Sequence, residues 1–192
     1  LWSDIPGFCD FEALYTHAAA RLPERGAVAV EVGCWLGRSV AFLASEMKRL
    51  GKGQAVVYAI DHGFGTPTGS DANTLRPVVD LAGGNIAGHL VSNLDHCGLY
   101  PFVRPLILPS IVAAELFADG TVDFIFIDAN HNEAAVLADL EAWFPKLKPN
   151  GLIAGHDYVR DPYSSVVKAV NAFFGSDDCS DPICPHCWSV RA

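Results

Sequence analysis

The chain has 192 residues, 51% of them hydrophobic and 18% charged, which suits a buried sheet covered by helices in one domain. Its 22 acids against 13 bases give a formal charge of −9 without any Lys/Arg cluster, so a nucleic-acid partner is disfavoured. No apolar run approaches a membrane-spanning length and the start lacks a signal peptide's basic-then-apolar profile, so a cytoplasmic protein with no membrane partner is expected.

Asp10 stands where it can cap a first helix, with Phe11, Leu14, Ala18 and Leu22 on one face and Pro23 and Gly26 ending it. Residues 1–26 are thus an N-terminal helical segment. Ala27-Val-Ala-Val-Glu-Val32 is a run of small and β-branched residues, as in a strand buried on both faces. Gly33 and Gly37 punctuate the turn after it, and Val40, Leu43, Met47 and Leu50 recur at helical spacing. A strand feeding a helix through a glycine turn offers a ligand close backbone approach and a helix N-terminus. The pyrophosphate path of a dinucleotide-binding turn is filled here by Cys34, Trp35 and Leu36, which favours a cofactor without phosphates, S-adenosylmethionine.

Ala55–Ile60 is a second strand ending at Asp61. Residues 62–84, rich in Gly, Thr, Asp and Pro, read as a lid loop over the strand ends with a short helical piece near Leu75–Leu81. Ile86, Leu90 and Leu94 mark a further helix, and Phe102–Leu108 is a third strand whose Pro105 assigns it to an edge. A short helix over Ile111–Phe117 precedes Val122–Ile127, a strongly apolar strand that runs into Asp128-Ala-Asn-His131. Val136, Leu140 and Trp143 form the inward face of the next helix. Lys146–Gly151 reads as a turn, Leu152–Gly155 as a strand ending in His156-Asp157-Tyr158, and Val166, Val170 and Phe173 as a last helical stripe stopped by Gly175. Trp188–Arg191 is a candidate terminal strand.

Strands alternating with helices predict an α/β fold, a Rossmann-like doubly wound and mostly parallel sheet of six or seven strands with helices on both faces. Ligands of such sheets lie beyond the C-terminal strand ends. Glu31, Asp61, Asp128 and His156-Asp157 all fall at or near such ends, and this convergence of acids is the main functional signal.

In Val-Glu-Val-Gly-x-x-x-Gly-Arg-Ser, Phe-Ile-Asp-x-x-His and Gly-His-Asp-Tyr, the chain resembles the class I S-adenosylmethionine-dependent methyltransferases. It is most similar to a small bacterial family related to the metal-dependent catechol and macrolide-sugar O-methyltransferases, from about Ala27 to Phe174. The resemblance implies that Glu31, Gly33, Trp35 and the Gly37 turn line the methionine half of the cofactor. Ser39 would hold its carboxylate, Asp61 its ribose hydroxyls, and Ser110 would sit near the adenine. Asp128, His156 and Asp157 fall at the family's positions for a divalent metal, Mg²⁺ first, with Mn²⁺, Ca²⁺ or Zn²⁺ as alternatives. His131 takes the place of the catalytic base beside Asp128, although a cap for the following helix explains it too. The implied reaction is methyl transfer to a hydroxyl of a small-molecule acceptor. His156-Asp157 replaces the Asp-Asn pair of the catechol enzymes.

Cys179, Cys184 and Cys187 crowd residues 176–192, where free thiols, a zinc site and a disulfide are the three readings. Two other functions stay in view: a nicotinamide-dependent oxidoreductase, opposed by the blocked glycine turn, and a non-catalytic cofactor-binding protein. The acceptor and the oligomeric state, a homo-oligomer included, are left open by the sequence.

Overall fold

A computed structural model describes residues 1–66, 72–159 and 163–192. A six-stranded sheet runs in the order β3-β2-β1-β4-β5-β6. Its strands are β1 (Val28–Val32), β2 (Val56–Ile60), β3 (Val103–Leu106), β4 (Val122–Ile127), β5 (Leu147–Gly155) and β6 (Trp188–Arg191). The first five are parallel, and β6 returns antiparallel along β5. The helices are α1 (Glu12–Arg21), α2 (Arg38–Arg49), α3 (Ala72–Leu81), α4 (Ala87–His96), α5 (Ser110–Ala114), α6 (Glu133–Trp143) and α7 (Ser164–Phe174). The expected doubly wound sheet is therefore present in its six-stranded form.

The two-residue period of β4 shows how the layers divide. Phe124 and Phe126 join Leu14 and Tyr15 of α1, Val40 and Leu43 of α2 and Leu90 of α4 on one face. Ile125 and Ile127 point the other way, to Ala113 of α5, Leu140 and Trp143 of α6 and Val170 of α7, and Val122, before the register shift at Val122/Phe124, joins that side out of step with the period. A strand apolar on both faces has to be covered on both, and these helices do so. Among the described residues no helix is long and apolar enough to cross a membrane.

Strand register positions the site. Val32 lies opposite both Ile60 and Ile127, and Ile127 lies opposite Gly155. The residues that follow are still laddered: Gly33 N–H donates to Ile60 O (2.8 Å), Asp128 N–H to Val32 O (2.8 Å) and His156 N–H to Ile127 O (3.2 Å). Gly33, Asp61, Asp128 and His156 thus stand level along one edge, centred on the β1/β4 boundary where the winding reverses.

Three local expectations change. Asp10 does not cap α1, which starts after Phe11 without a side-chain cap; its carboxylate instead lies 3.0 Å from His156 Nε2. Lys146–Gly151 is not a free turn, because β5 begins at Leu147, paired with Val122, and resumes its ladder at Leu152 opposite Phe124. The extra residues swing out as a bulge in which Asn150 takes φ 65°. Within 62–84 the helical piece is longer than expected, ten residues of α3 with Pro77 inside it; residues 67–71 of the expected lid lie outside the described residues. Pro105 does sit on an edge strand, β3.

Candidate active site

A cleft of about 830 Å³ opens over the aligned strand ends, within the size range of small-molecule sites. Gly33, Trp35 and Asp61 line it. Asp61 is held by backbone: one carboxylate oxygen accepts from Trp35 N–H (2.9 Å), the other from Gly63 N–H (2.7 Å). Burial raises its pKa while these two donors oppose the rise. To donate to Asp61, Trp35 adopts φ 48°, a left-handed conformation that a bulky residue takes only at a cost. Gly37, at the start of α2, has φ 91°, and a Cβ there would lie 2.7 Å from Leu90 Cδ1, so it serves the packing of α4.

Glu31 and Ser39 engage each other below the cleft. The buried Glu31 carboxyl accepts from Tyr15 Oη (2.7 Å) and Ser39 Oγ (2.5 Å). Burial, only partly offset by those bonds, pushes its pKa up to about 8. The fold therefore binds a proton that the unfolded chain releases near pH 4.5, and stability falls as pH rises between those values. In thermal melts between pH 6 and 8, Glu31→Gln should flatten this decline, which amounts to at most about 1.4 kcal/mol per pH unit. Parallel melting profiles for variant and wild type would contradict it.

The far wall gathers acids and imidazoles. Asp128, His131 and Asp157 can each present a ligand atom within 4.8 Å of the others. His131 Nε2 is 2.9 Å from Asp157 Oδ2 and 3.7 Å from Asp128 Oδ1. His156 Nδ1 is 3.3 Å from Asp157 Oδ2 and 4.0 Å from Asp128 Oδ1, while its Nε2 faces Asp10. Burial disfavours both imidazolium ions, yet the carboxylates outweigh it and raise His131 to about 10 and His156 to about 9. Burial alone would raise Asp157, but the two imidazoles hold it far below the usual carboxylate range. Asp157 too has a positive φ, 57°. Helix capping does not occupy His131, because Asn132 Oδ1 caps α6 by accepting from Ala134 N–H (3.0 Å).

The sequence pattern of the methyltransferase domain family matches residues 30–158, from the core of β1 to the loop beyond Asp157. The chain belongs to that family. Solved structures agree with its class I, S-adenosylmethionine-dependent fold. The O-methyltransferase NovP is 15% identical, with a TM-score of 0.67 over 94% of this chain and 78% of its own. A putative rRNA-methylase from Clostridium thermocellum is 16% identical, with 0.63 over 96% of each chain. A Corynebacterium glutamicum protein is 14% identical, with 0.61 over 97% of this chain and 82% of its own. No curated protein matches the sequence.

In this methyltransferase, several cleft residues escaped the sequence reading. Arg38 is the one fixed cation lining the cleft among the described residues, and its Nη1 donates to Ser3 O (3.1 Å) and Ile5 O (2.9 Å). It sits in the motif next to Ser39, which was the available signal. Asp139 of α6 is a buried acid in the cleft wall; it accepts from Ser110 Oγ (2.5 Å), which in turn accepts from Trp143 Nε1 (2.9 Å). Its position four residues from Trp143 on an apolar helix face hid its use. Tyr163 packs edge-on against His131, with centroids 4.5 Å apart.

The C-terminal cysteines do not converge on a metal. Cys184 and Cys187 are buried on the α1/α2 side with sulfurs 2.9 Å apart, whereas Cys179 packs with the opposite cluster. Among the described residues the three form no zinc set. Their segment braces the site instead. His186 O accepts from Tyr158 N–H (3.0 Å), and Tyr158 Oη accepts from Cys179 N–H (2.9 Å), fixing the residue next to Asp157.

Proposed function

We propose that this chain transfers the methyl group of S-adenosylmethionine to a hydroxyl of a small molecule, assisted by a divalent metal. The observation that carries the reading is the carboxylate–imidazole cluster in the wall of the same cleft that presents Asp61. The net charge of −9 supports a small acceptor over nucleic acid. A cytoplasmic setting fits six free thiols.

The donor set fits a metal. Asp128 and Asp157 supply hard oxygens, and His156 Nδ1 faces both while its Nε2 lies 3.0 Å from an Asp10 carboxylate oxygen. A carboxylate on the second nitrogen is the usual way a ligating imidazole is oriented. Two carboxylates suit Mg²⁺, and the imidazole extends the choice to Mn²⁺ or Zn²⁺. Lewis acidity at the acceptor hydroxyl, together with charge that offsets the two acids, is what such a metal supplies when bound.

Around that centre the protein's own groups divide the work. Asp61, with both oxygens oriented by backbone N–H groups, has lone pairs left for a ribose diol. His131 is placed to take the acceptor's proton, a role that requires its neutral imidazole. Uncompensated, Asp128 and Asp157 hold it protonated at neutral pH, so base function requires that their charge be met elsewhere.

Turnover on a panel of hydroxylated acceptors, followed before and after chelation and after adding Mg²⁺ or Mn²⁺, tests the reading. Activity should vanish with chelation and return with metal. Methyl transfer that persists through chelation, with no metal found by elemental analysis, would overturn the metal-assisted mechanism.

A further inference from the structure

Cys184-Pro-His-Cys187 forms a tight turn. Cys187 N–H donates to Cys184 O (3.0 Å), and Pro185 stands second of the four residues, where its fixed φ favours a turn. Asp181 anchors the segment: its Oδ1 accepts from Ile183 N–H and Cys184 N–H, 2.8 Å each. Its own N–H donates to Cys187 O (2.9 Å). Such a turn keeps its first and last Cα atoms within about 7 Å, which matches the span of a disulfide.

The side chains use that proximity. Cys187 Sγ lies 2.9 Å from Cys184 Sγ, closer than the van der Waals contact of two sulfurs. A bond of about 2.05 Å asks only a short further approach. Both thiols are buried, but Pro185 and His186 between them and Ile183 before them are exposed. Opening of this surface turn therefore uncovers the sulfurs as a local event, short of global unfolding.

We infer that Cys184 and Cys187 are a reversible dithiol–disulfide pair, oxidised by a small disulfide such as glutathione disulfide, and that their bridge steadies the backbone beside Asp157. Cys184 gives up its proton, and its sulfur attacks one sulfur of the oxidant and expels a glutathione thiolate. The deprotonated Cys187 sulfur then attacks Cys184 Sγ and expels the second. The two protein thiols lose two electrons and two protons, and one glutathione disulfide becomes two thiols. Cys184 leads because burial, and then the Cys184 thiol beside it, push the Cys187 thiol up. In a reducing compartment the pair rests as thiols and bridges only under oxidation.

The turn itself reaches the site. His186 O, between the two cysteines, accepts from Tyr158 N–H (3.0 Å), and Trp188, next to Cys187, pairs with Gly155 just before His156 and Asp157. Asp157 holds φ 57°, a conformation that its surroundings must enforce. A bridge across the turn suppresses the opening that would release Tyr158. This depends on neither the cofactor nor the metal reading.

Equilibration of the full chain in glutathione buffers of graded thiol-to-disulfide ratio, approached from the reduced and the oxidised side, tests the pair. Alkylation and peptide mass mapping locate the bridge. The wild-type peptide holding Cys184 and Cys187 should lose the mass of two hydrogens. Cys184→Ser or Cys187→Ser should abolish that loss, and Cys97→Ser should keep it. Because the fold presets the turn, bridging should be favoured about tenfold or more over the same chain in urea. Hydrogen exchange at the Tyr158 amide should slow several-fold on oxidation of wild type and stay unchanged in Cys184→Ser. A wild type that stays reduced or carries only mixed glutathione disulfides in the most oxidising buffer would overturn the pair. So would a bridge between other cysteines, or a folded chain no readier to bridge than the unfolded one. A bridge that leaves Tyr158 exchange unaltered would overturn its reach to Asp157.

Discussion

Replacing His131 with alanine should lower turnover by about 10²–10⁴-fold, the usual contribution of a general base, while S-adenosylhomocysteine affinity stays near that of wild type. The reason is placement. His131 leaves β4 three residues after Asp128 and reaches Asp157 at 2.9 Å, whereas Asp61, the proposed ribose ligand, belongs to another strand. Metal content separates the two ways His131 can matter. Retention of metal with lost turnover identifies a base, and loss of metal identifies a ligand that displaces His156 from that role. Turnover within a few-fold of wild type on the true acceptor would remove His131 from both.

The sequence exposes the parts of this site that depend on strand ends. Asp61, Asp128 and His156-Asp157 each follow a recognisable apolar strand, and parallel register then makes such residues level without any further information. What it hides depends on helical phase and backbone sign. Asp139 sits on an apolar helix face, and only the approach of Ser110 from the turn after β3 reveals that its carboxylate is used. Asp10 resembles an N-cap because it precedes an apolar helix, yet α1 begins uncapped and the carboxylate turns to His156. The left-handed Trp35 and Asp157 carry no sequence mark at all. Both line the cleft, as expected if local strain is tolerated where the surrounding structure fixes a functional geometry. Lys146–Gly151 departs from the expected turn for a related reason. Its Pro, Asn and Gly are turn residues, but a bulge uses the same chemistry inside a strand.

Gly33→Ala should be the most damaging glycine-to-alanine change among the described residues. Gly33 combines φ 90° with direct apposition to β4, and a Cβ built there would fall 2.0 Å from the carbonyl oxygen of Asp128 and 2.6 Å from its carbonyl carbon. Neither neighbour is a flexible side-chain tip that can rotate away. Relief requires β1 and β4 to part at the point where Asp128 N–H donates to Val32 O and Gly33 N–H to Ile60 O, and it also requires an alanine to adopt a left-handed conformation. The combined cost is about 4 kcal/mol or more, in the range reserved for overpacking and backbone strain, and lowers the melting temperature by on the order of 10 °C in a domain of this size. The movement also displaces Asp128 from Asp157, so affinity for the proposed metal should fall along with stability. Gly37→Ala is the comparison. Its obstruction is the Leu90 side chain at 2.7 Å, which can shift rotamer, so the loss should be smaller and metal binding preserved. An Gly33→Ala protein that melts within a few degrees of wild type and still binds metal would show that β1 and β4 can separate at their ends, and that Asp128 is not held by that junction.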